Sequence, residues 1–217
     1  MTMKPLLIGI AGGTGSGKTS VSRAIRQALP AGACSVIEHD SYYRDLAHLP
    51  FDQRVQTNFD HPDSLENELL SSHLDQLRRG QAVDKPVYDF KTHTRMEVTE
   101  HVEPCPVVVV EGILVLADPQ LRNRLDVKIF VDTDDDVRLM RRIRRDIEER
   151  GRSFDDIRAQ YNRTVRPMHI QFVAPSRRFA DLVVPEGGRN TVAIGLMVRA
   201  FTRCVDEVRN GESPFVV

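Results

Sequence analysis

Residues 9 to 25 read GIAGGTGSGKTSVSRAI, a run of glycines and small hydroxylic residues that ends in a lysine and enters a helix-like pattern. Gly12, Gly17, Lys18 and Thr19 fit Gly-x-x-x-x-Gly-Lys-[Ser/Thr], a loop whose backbone N–H groups wrap a polyphosphate. In such a loop Gly12, Gly13, Thr14, Gly15, Ser16 and Gly17 form the cradle, Lys18 reaches the outer phosphates and Thr19 holds Mg²⁺. The flanks suit the motif. LLIGIA at 6 to 11 is an unbroken apolar run of the kind that forms a strand buried on both faces, and TSVSRAIRQAL after the loop places Val21, Ala24, Ile25 and Leu29 at helical spacing. Strand, glycine loop and helix put a helix N-terminus at the phosphates. A nucleoside triphosphate is the ligand this stretch predicts.

Further buried-strand patterns lie near 35–38, at 107–110, at 127–131 and at 182–184, with helical patterns between most of them. That alternation predicts an α/β fold, a five-stranded parallel sheet of the P-loop NTPase type with helices on both faces. Residues 83–102, VDKPVYDFKTHTRMEVTEHV, break the rhythm and predict a β-hairpin inserted into the core. The 217 residues suffice for a single domain spanning 1–217, in which 83–102 is the hairpin and 134–161 an arginine-rich helical lid.

Composition removes several classes. A net charge of −1 gives no reason to expect a general nucleic-acid binder. Cys34, Cys105 and Cys204 are scattered and odd in number, which suits reduced thiols in the cytoplasm, and no transition-metal spacing is present. The N-terminal run enters the phosphate loop directly and reads as a first strand, not a signal peptide; VVVVEGILVLA is too short and too interrupted by Glu111 to cross a membrane. The closing RNGESPFVV carries no readable role.

Two acids end predicted strands. In open parallel sheets the ligand crevice lies outside those ends, so Glu111 is placed to hold Mg²⁺ directly or through water, or else to cap the next turn. Asp40, in VIEHDSYYR, is placed to accept the proton of an attacking hydroxyl or to help hold the metal, with a helix N-cap as the equal alternative. In DDDVRLMRRIRRDIEERGRSFDD, Thr133 with Asp136 resembles a capping box, and Val137, Met140, Ile143 and Ile147 form an apolar stripe that leaves the arginines on the other faces. Residues 138–152 hold seven arginines against three acids. One reading is a solvated helix with i, i+4 ion pairs; the other is a lid whose guanidinium forks neutralise a transferring phosphoryl group. Gly151 and a second capping-box pattern at Ser153 mark a bend within it.

GGTGSGKTS, HDSYYR, NFDHPDS, PVYDF, EGIL, FVDTDDDVRLMRRIRRDIEERGR and FADLVVP, in this order and spacing, resemble the uridine-cytidine kinases of pyrimidine salvage from about Leu6 to Asn190. The resemblance implies transfer of the γ-phosphate of ATP, or of GTP, to the 5′-hydroxyl of uridine or cytidine with Mg²⁺. It implies Asp40 as general base, with Lys18, Arg145 and Arg150 acting on the transferring phosphate. It further implies Asp60 with Arg142 as the ribose-binding pair, Tyr88, Phe90 and His93 as the base-recognition group, and Arg152 and Gln160 as residues that close on the substrate. A homotetramer inhibited by UTP or CTP is also implied.

The side-chain chemistry agrees. A carboxylate at Asp60 accepts from two ribose hydroxyls, and an aromatic wall with a histidine at its edge suits a pyrimidine. Hairpin core packing is the plain alternative for Tyr88, Phe90 and His93. Two positions depart from the family pattern: Glu186 stands where a basic residue is expected, and His39 precedes Asp40. The competing functions are a phosphoribulokinase- or pantothenate kinase-like enzyme, which has no use for an aromatic wall, and a nucleotide switch or RNA-binding module. No Asn-Lys-x-Asp guanine-reading motif is present.

Overall fold

The computed structural model describes residues 4–212 and Pro214, so the end of the RNGESPFVV tail lies outside the described residues. Five strands form one sheet: β1 (Leu6–Ala11), β2 (Cys34–Glu38), β5 (Val107–Glu111), β6 (Val127–Asp132) and β7 (Leu182–Pro185). They lie in the order β2-β5-β1-β6-β7 and all four pairings are parallel. The sheet is the one expected from the spacing of apolar runs.

Alternation along β1 divides the core. Leu7 and Ala11 face one side, where they pack with Val108, Val110, Phe130 and with Leu70, Leu74 and Leu77 of α3 (Asn67–Arg78). Leu6, Ile8 and Ile10 face the other, against Val21 and Ile25 of α1 (Lys18–Ala28) and Met197, Phe201 and Val205 of the C-terminal helix Thr191–Arg209. Every residue of β1 and β5 is buried, which explains their unbroken apolar sequences.

Strands β3 (Val83–Asp89) and β4 (Thr94–Val102) form a separate antiparallel pair with an irregularity between Pro86 and Tyr88. Lys85, 4% exposed, fixes this hairpin to the sheet by reaching Glu38 at the end of β2 (2.7 Å) and Glu100 on β4 (3.0 Å). A short exposed helix, α2 (Phe51–Gln56), spans the gap to the hairpin turn: Arg54 donates to the Thr92 carbonyl (3.2 Å). After the brief α4 (Pro119–Arg122) and strand β6 comes α5 (Asp135–Glu148), then α6 (Phe154–Gln160), which continues in helical turns to Phe179.

Helix α5 corrects two expectations. Its start is capped by neither Thr133 nor Asp136, because the Thr133 hydroxyl is spent on the Ser16 carbonyl (3.0 Å) and Asp134 takes the cap position without a side-chain bond. Its expected apolar stripe is also not its buried face: Met140 and Ile147 are exposed and Val137 and Ile143 only half-buried, while Arg138, Arg142 and Asp146 at i, i+4, i+8 are buried. The cause is what the helix lies on. Its inner neighbours are phosphate-loop and β6-end carbonyls (Thr14, Gly15, Ser16 and Thr133), which demand donors that aliphatic side chains lack. The second cap is as expected: Ser153 Oγ accepts from the Asp156 N–H (3.1 Å), and Gly151 turns the chain at φ +62°.

Candidate functional site

The phosphate loop follows β1, Asp40 follows β2 and Glu111 ends β5, three adjacent strands, so the sheet delivers them to one edge. The loop depends on glycine where the backbone requires it. Gly12 sits at φ +146°, and a Cβ there would run into the Val131 carbonyl; Gly17, at φ +97°, is the left-handed residue from which α1 starts. Ser16 N–H closes the loop on the Gly13 carbonyl (3.1 Å), to which Lys18 Nζ also donates (3.2 Å). The crowded loop pushes the Lys18 pKa down by desolvation, against the opposing charges of Glu111 and Asp40.

Thr19 Oγ1 donates to the Glu111 carboxylate at 2.9 and 3.2 Å. Burial raises the Glu111 pKa, while Lys18 and the Thr19 bond pull it down. Glu111 therefore spends its oxygens on the phosphate loop and caps no turn. Ser16 Oγ is fully buried without a hydrogen-bond partner among the described residues. A hydroxyl paired with a carboxylate at a helix N-terminus is an oxygen donor set that fits Mg²⁺, which takes few protein ligands and completes its shell with phosphate and water.

Asp40 stands on the 3-10 turn His39–Tyr42, whose cap position belongs to Glu38, so a capping role for Asp40 falls away. Its charge acts on Lys18, Glu111 and Asp60 alike. The unexpected His39 is buried, and its Nε2 meets Asn67 Oδ1 (2.7 Å) while Asn67 Nδ2 donates to Asp118 (3.1 Å). Burial lowers its pKa.

The hairpin end of the site is aromatic. The Phe59 ring stacks on His93 with centroids 4.9 Å apart and planes 16° from parallel. Tyr88 meets Tyr43 at 5.3 Å and Phe90 edge-on at 5.3 Å. Phe90 lies in the turn just past β3 and is half exposed, whereas Tyr88 is buried with a hydroxyl that has no partner among the described residues. His93 holds the turn at φ +56° and donates its backbone N–H to the Asp89 carbonyl (2.9 Å); burial, then Arg152, push its pKa down, which favours the neutral ring. Sequence reasoning missed Tyr43 and Phe59 as members of this wall, although both sit inside HDSYYR and NFDHPDS.

Asp60 and Arg142 are neighbours without a direct ion pair among the described residues. Burial raises the Asp60 pKa and Arg142 opposes it. Arg142 instead donates to Thr14 Oγ1 (3.2 Å) and Gln160 Oε1 (2.9 Å), and Arg152 reaches the same Gln160 oxygen (2.8 Å). The Arg150 guanidinium lies 5.9 Å over the Phe90 ring, bringing the arginine segment to the hairpin. The i, i+4 ion pair of the solvated-helix reading does occur at Arg144–Glu148 (3.0 Å), on the outer face. Glu186, at φ +61°, precedes a turn that approaches the phosphate loop so closely that a Cβ at Gly187 would run into the Ser16 carbonyl and one at Gly188 into the Ser20 side chain.

A parallel sheet of this order with a phosphate loop at its carboxyl edge and a basic helix folded over it defines a P-loop kinase fold. The chain belongs to the Phosphoribulokinase / Uridine kinase family, whose model matches residues 7–193. It is 54% identical over 198 residues to the uridine kinase of Chloroflexus aggregans, covering 91% of this chain and 95% of that protein. The uridine kinase of Geobacillus kaustophilus is likewise 54% identical over 198 residues, covering 91% and 94%. Phosphoribulokinase from Rhodobacter spheroides shares the fold, with a TM-score of 0.63 at 14% identity over 85% of this chain and 71% of that one.

Proposed function

We propose that this chain is a uridine/cytidine kinase that moves the γ-phosphate of ATP or GTP to the 5′-hydroxyl of the nucleoside, giving UMP or CMP. The observation that carries the reading is the continuity of the site. Asp40, on the turn after β2, acts electrostatically on Lys18 of the phosphate loop and on Tyr43 of the aromatic cluster that includes the stacked Phe59–His93 pair, which suits a triphosphate, a reacting hydroxyl and a flat base in that order.

The loop amides and Lys18 bind the triphosphate. Asp40 orients the 5′-hydroxyl and takes its proton, a modest aid if the transition state is loose. Asp60 accepts from the ribose hydroxyls, so a sugar lacking one leaves a buried carboxylate oxygen unpaired. Tyr88, Phe90 and His93 hold the pyrimidine. Arg142, Arg145, Arg150, Arg152 and Gln160 close over the reacting groups and exclude water. Thr19 and Glu111, with Asp40 near them, would hold a magnesium ion, which when bound neutralises charge on the β- and γ-phosphate oxygens. The assembly we expect is a homotetramer in the cytoplasm, subject to inhibition by UTP or CTP, and the exposed Met140, Ile147, Val192 and Leu196 offer apolar surface for it.

The test is product formation with ATP and Mg²⁺ and, separately, uridine, cytidine, 2′-deoxyuridine, adenosine, phosphoribulose and pantothenate. UMP and CMP should appear, with 2′-deoxyuridine poor. Phosphorylation of phosphoribulose or pantothenate alone would leave the phosphate loop correctly read and the aromatic wall misread.

A further inference from the structure

We infer that Asp146 is a positioning residue for phosphoryl transfer: its carboxylate gathers Arg142, Arg145, Arg150 and Arg152 into one cationic cluster. This rests on the kinase reading above.

Asp146 is the last of the three buried polar residues of α5 and is wholly inaccessible to solvent. Oδ1 takes Arg145 through both Nε (3.0 Å) and a terminal nitrogen (2.9 Å), with Arg150 at 3.5 Å. Oδ2 faces Arg142 at 3.6 Å and Arg152 at 3.5 Å, and has no bond of hydrogen-bonding geometry among the described residues. The two later arginines come from beyond the end of α5. Gly151 reverses the chain, and the Arg152 N–H returns to the Asp146 carbonyl (3.0 Å), so Asp146 holds this segment by backbone and side chain together.

A buried carboxylate persists only when paired, and four guanidiniums cannot crowd together without an anion among them. One carboxylate satisfies both conditions yet leaves the cluster strongly cationic. Each guanidinium has five N–H donors, so Asp146 occupies only part of each fork and leaves the rest for phosphate or ribose oxygens. Cations assembled in advance need not reorganise when charge develops on the transferring group, and this is where electrostatic catalysis gains most. With no exposed surface, Asp146 cannot touch the substrate; it acts through the arginines. An isolated i, i+4 pair with Arg142 would stabilise the helix, but it would not explain contacts to two arginines from outside that helix.

The experiment is a double-mutant cycle on the full chain with Asp146→Asn and Arg145→Gln, reading kcat and KM for uridine per folded enzyme, with melting curves for every variant. Asp146→Asn should lower kcat by about 30-fold or more, comparable to losing one transition-state donor. The double variant should fall within about threefold of the worse single variant, because both changes disable one unit. Multiplicative losses, or an Asp146→Asn kcat within about threefold of wild type, overturn the inference while the kinase reading stands. A wild-type chain that phosphorylates no nucleoside overturns the kinase reading itself. If Asp146→Asn does not fold, the same cycle is run with Asp146→Glu, which retains the charge but displaces it by one methylene; the same non-additivity is expected, and independent losses again overturn the inference.

Discussion

At the scale of single residues, the site is governed by where carboxylates stand relative to cations. Asp40, Glu111 and Asp60 share one region with Lys18 and Arg142, and each alters the protonation of its neighbours. Burial raises the pKa of Asp60 and Glu111, so both gain from a bound partner, hydroxyl donors for the first and a cation for the second. Asp40 differs in that its proposed work is done only while the hydroxyl reacts. Asp40→Asn keeps the shape and removes the charge. Turnover of uridine should therefore fall by about 10²-fold or more, while uridine Kd stays within about threefold. Equilibrium binding beside single-turnover kinetics checks this, and a variant with undiminished turnover removes Asp40 from the reaction.

At the scale of elements, what the sequence made legible follows from the physics of each segment. Strands β1 and β5 are buried on both faces, so an unbroken apolar run reveals them without any knowledge of their partners. Helix α5 was legible as a helix but not in its orientation. Hydrophobic periodicity assumes an apolar floor, and this floor is loop carbonyls, so Arg138, Arg142 and Asp146 turn inward while Met140 and Ile147 turn out. The same assumption hid Asp146, which reads as one acid in a charged run until the chain reverses at Gly151. Tyr43 and Phe59 were hidden for another reason, since they join Tyr88 and His93 only after three distant segments meet. The hairpin joins those segments, and Lys85 anchors it. Lys85→Ala removes both the packing of its stem and its bonds to Glu38 and Glu100, and should cost about 1–3 kcal/mol in urea unfolding. Because the hairpin carries Tyr88 and His93 but no phosphate-loop residue, KM for uridine should rise while KM for ATP holds. A parallel rise in both would show that the hairpin and phosphate loop are not separable.

At the scale of the whole molecule, the arrangement links stability to pH through buried and half-buried histidines. His39, His73, His93 and His169 all have pKa values lowered by burial, so the folded chain resists protons that the unfolded chain accepts. His169 is the clearest case, lowered from 6.5 to about 4, with its Nε2 3.0 Å from the Arg138 guanidinium that also contacts the phosphate loop. Between those values the unfolded state binds more protons than the folded state. Stability therefore falls as pH drops from about 6.5 towards 4, and is insensitive to this group above about 7. The raised carboxylates Asp60 and Glu111 act oppositely, since the folded chain holds their protons more tightly, and acidification through their window adds stability. Bulk acid sensitivity is thus a difference of opposing contributions, and a single variant isolates one of them. His169→Gln removes the titration but keeps an acceptor within reach of Arg138. Urea midpoints of wild type and variant, compared from pH 8 to 4.5, should differ by a constant amount above pH 7, with the difference moving steadily in the variant's favour below about 6.5. A difference that stays constant to pH 4.5 would mean that His169 takes up its proton as readily in the folded chain as in the unfolded one, and that Arg138 yields to it.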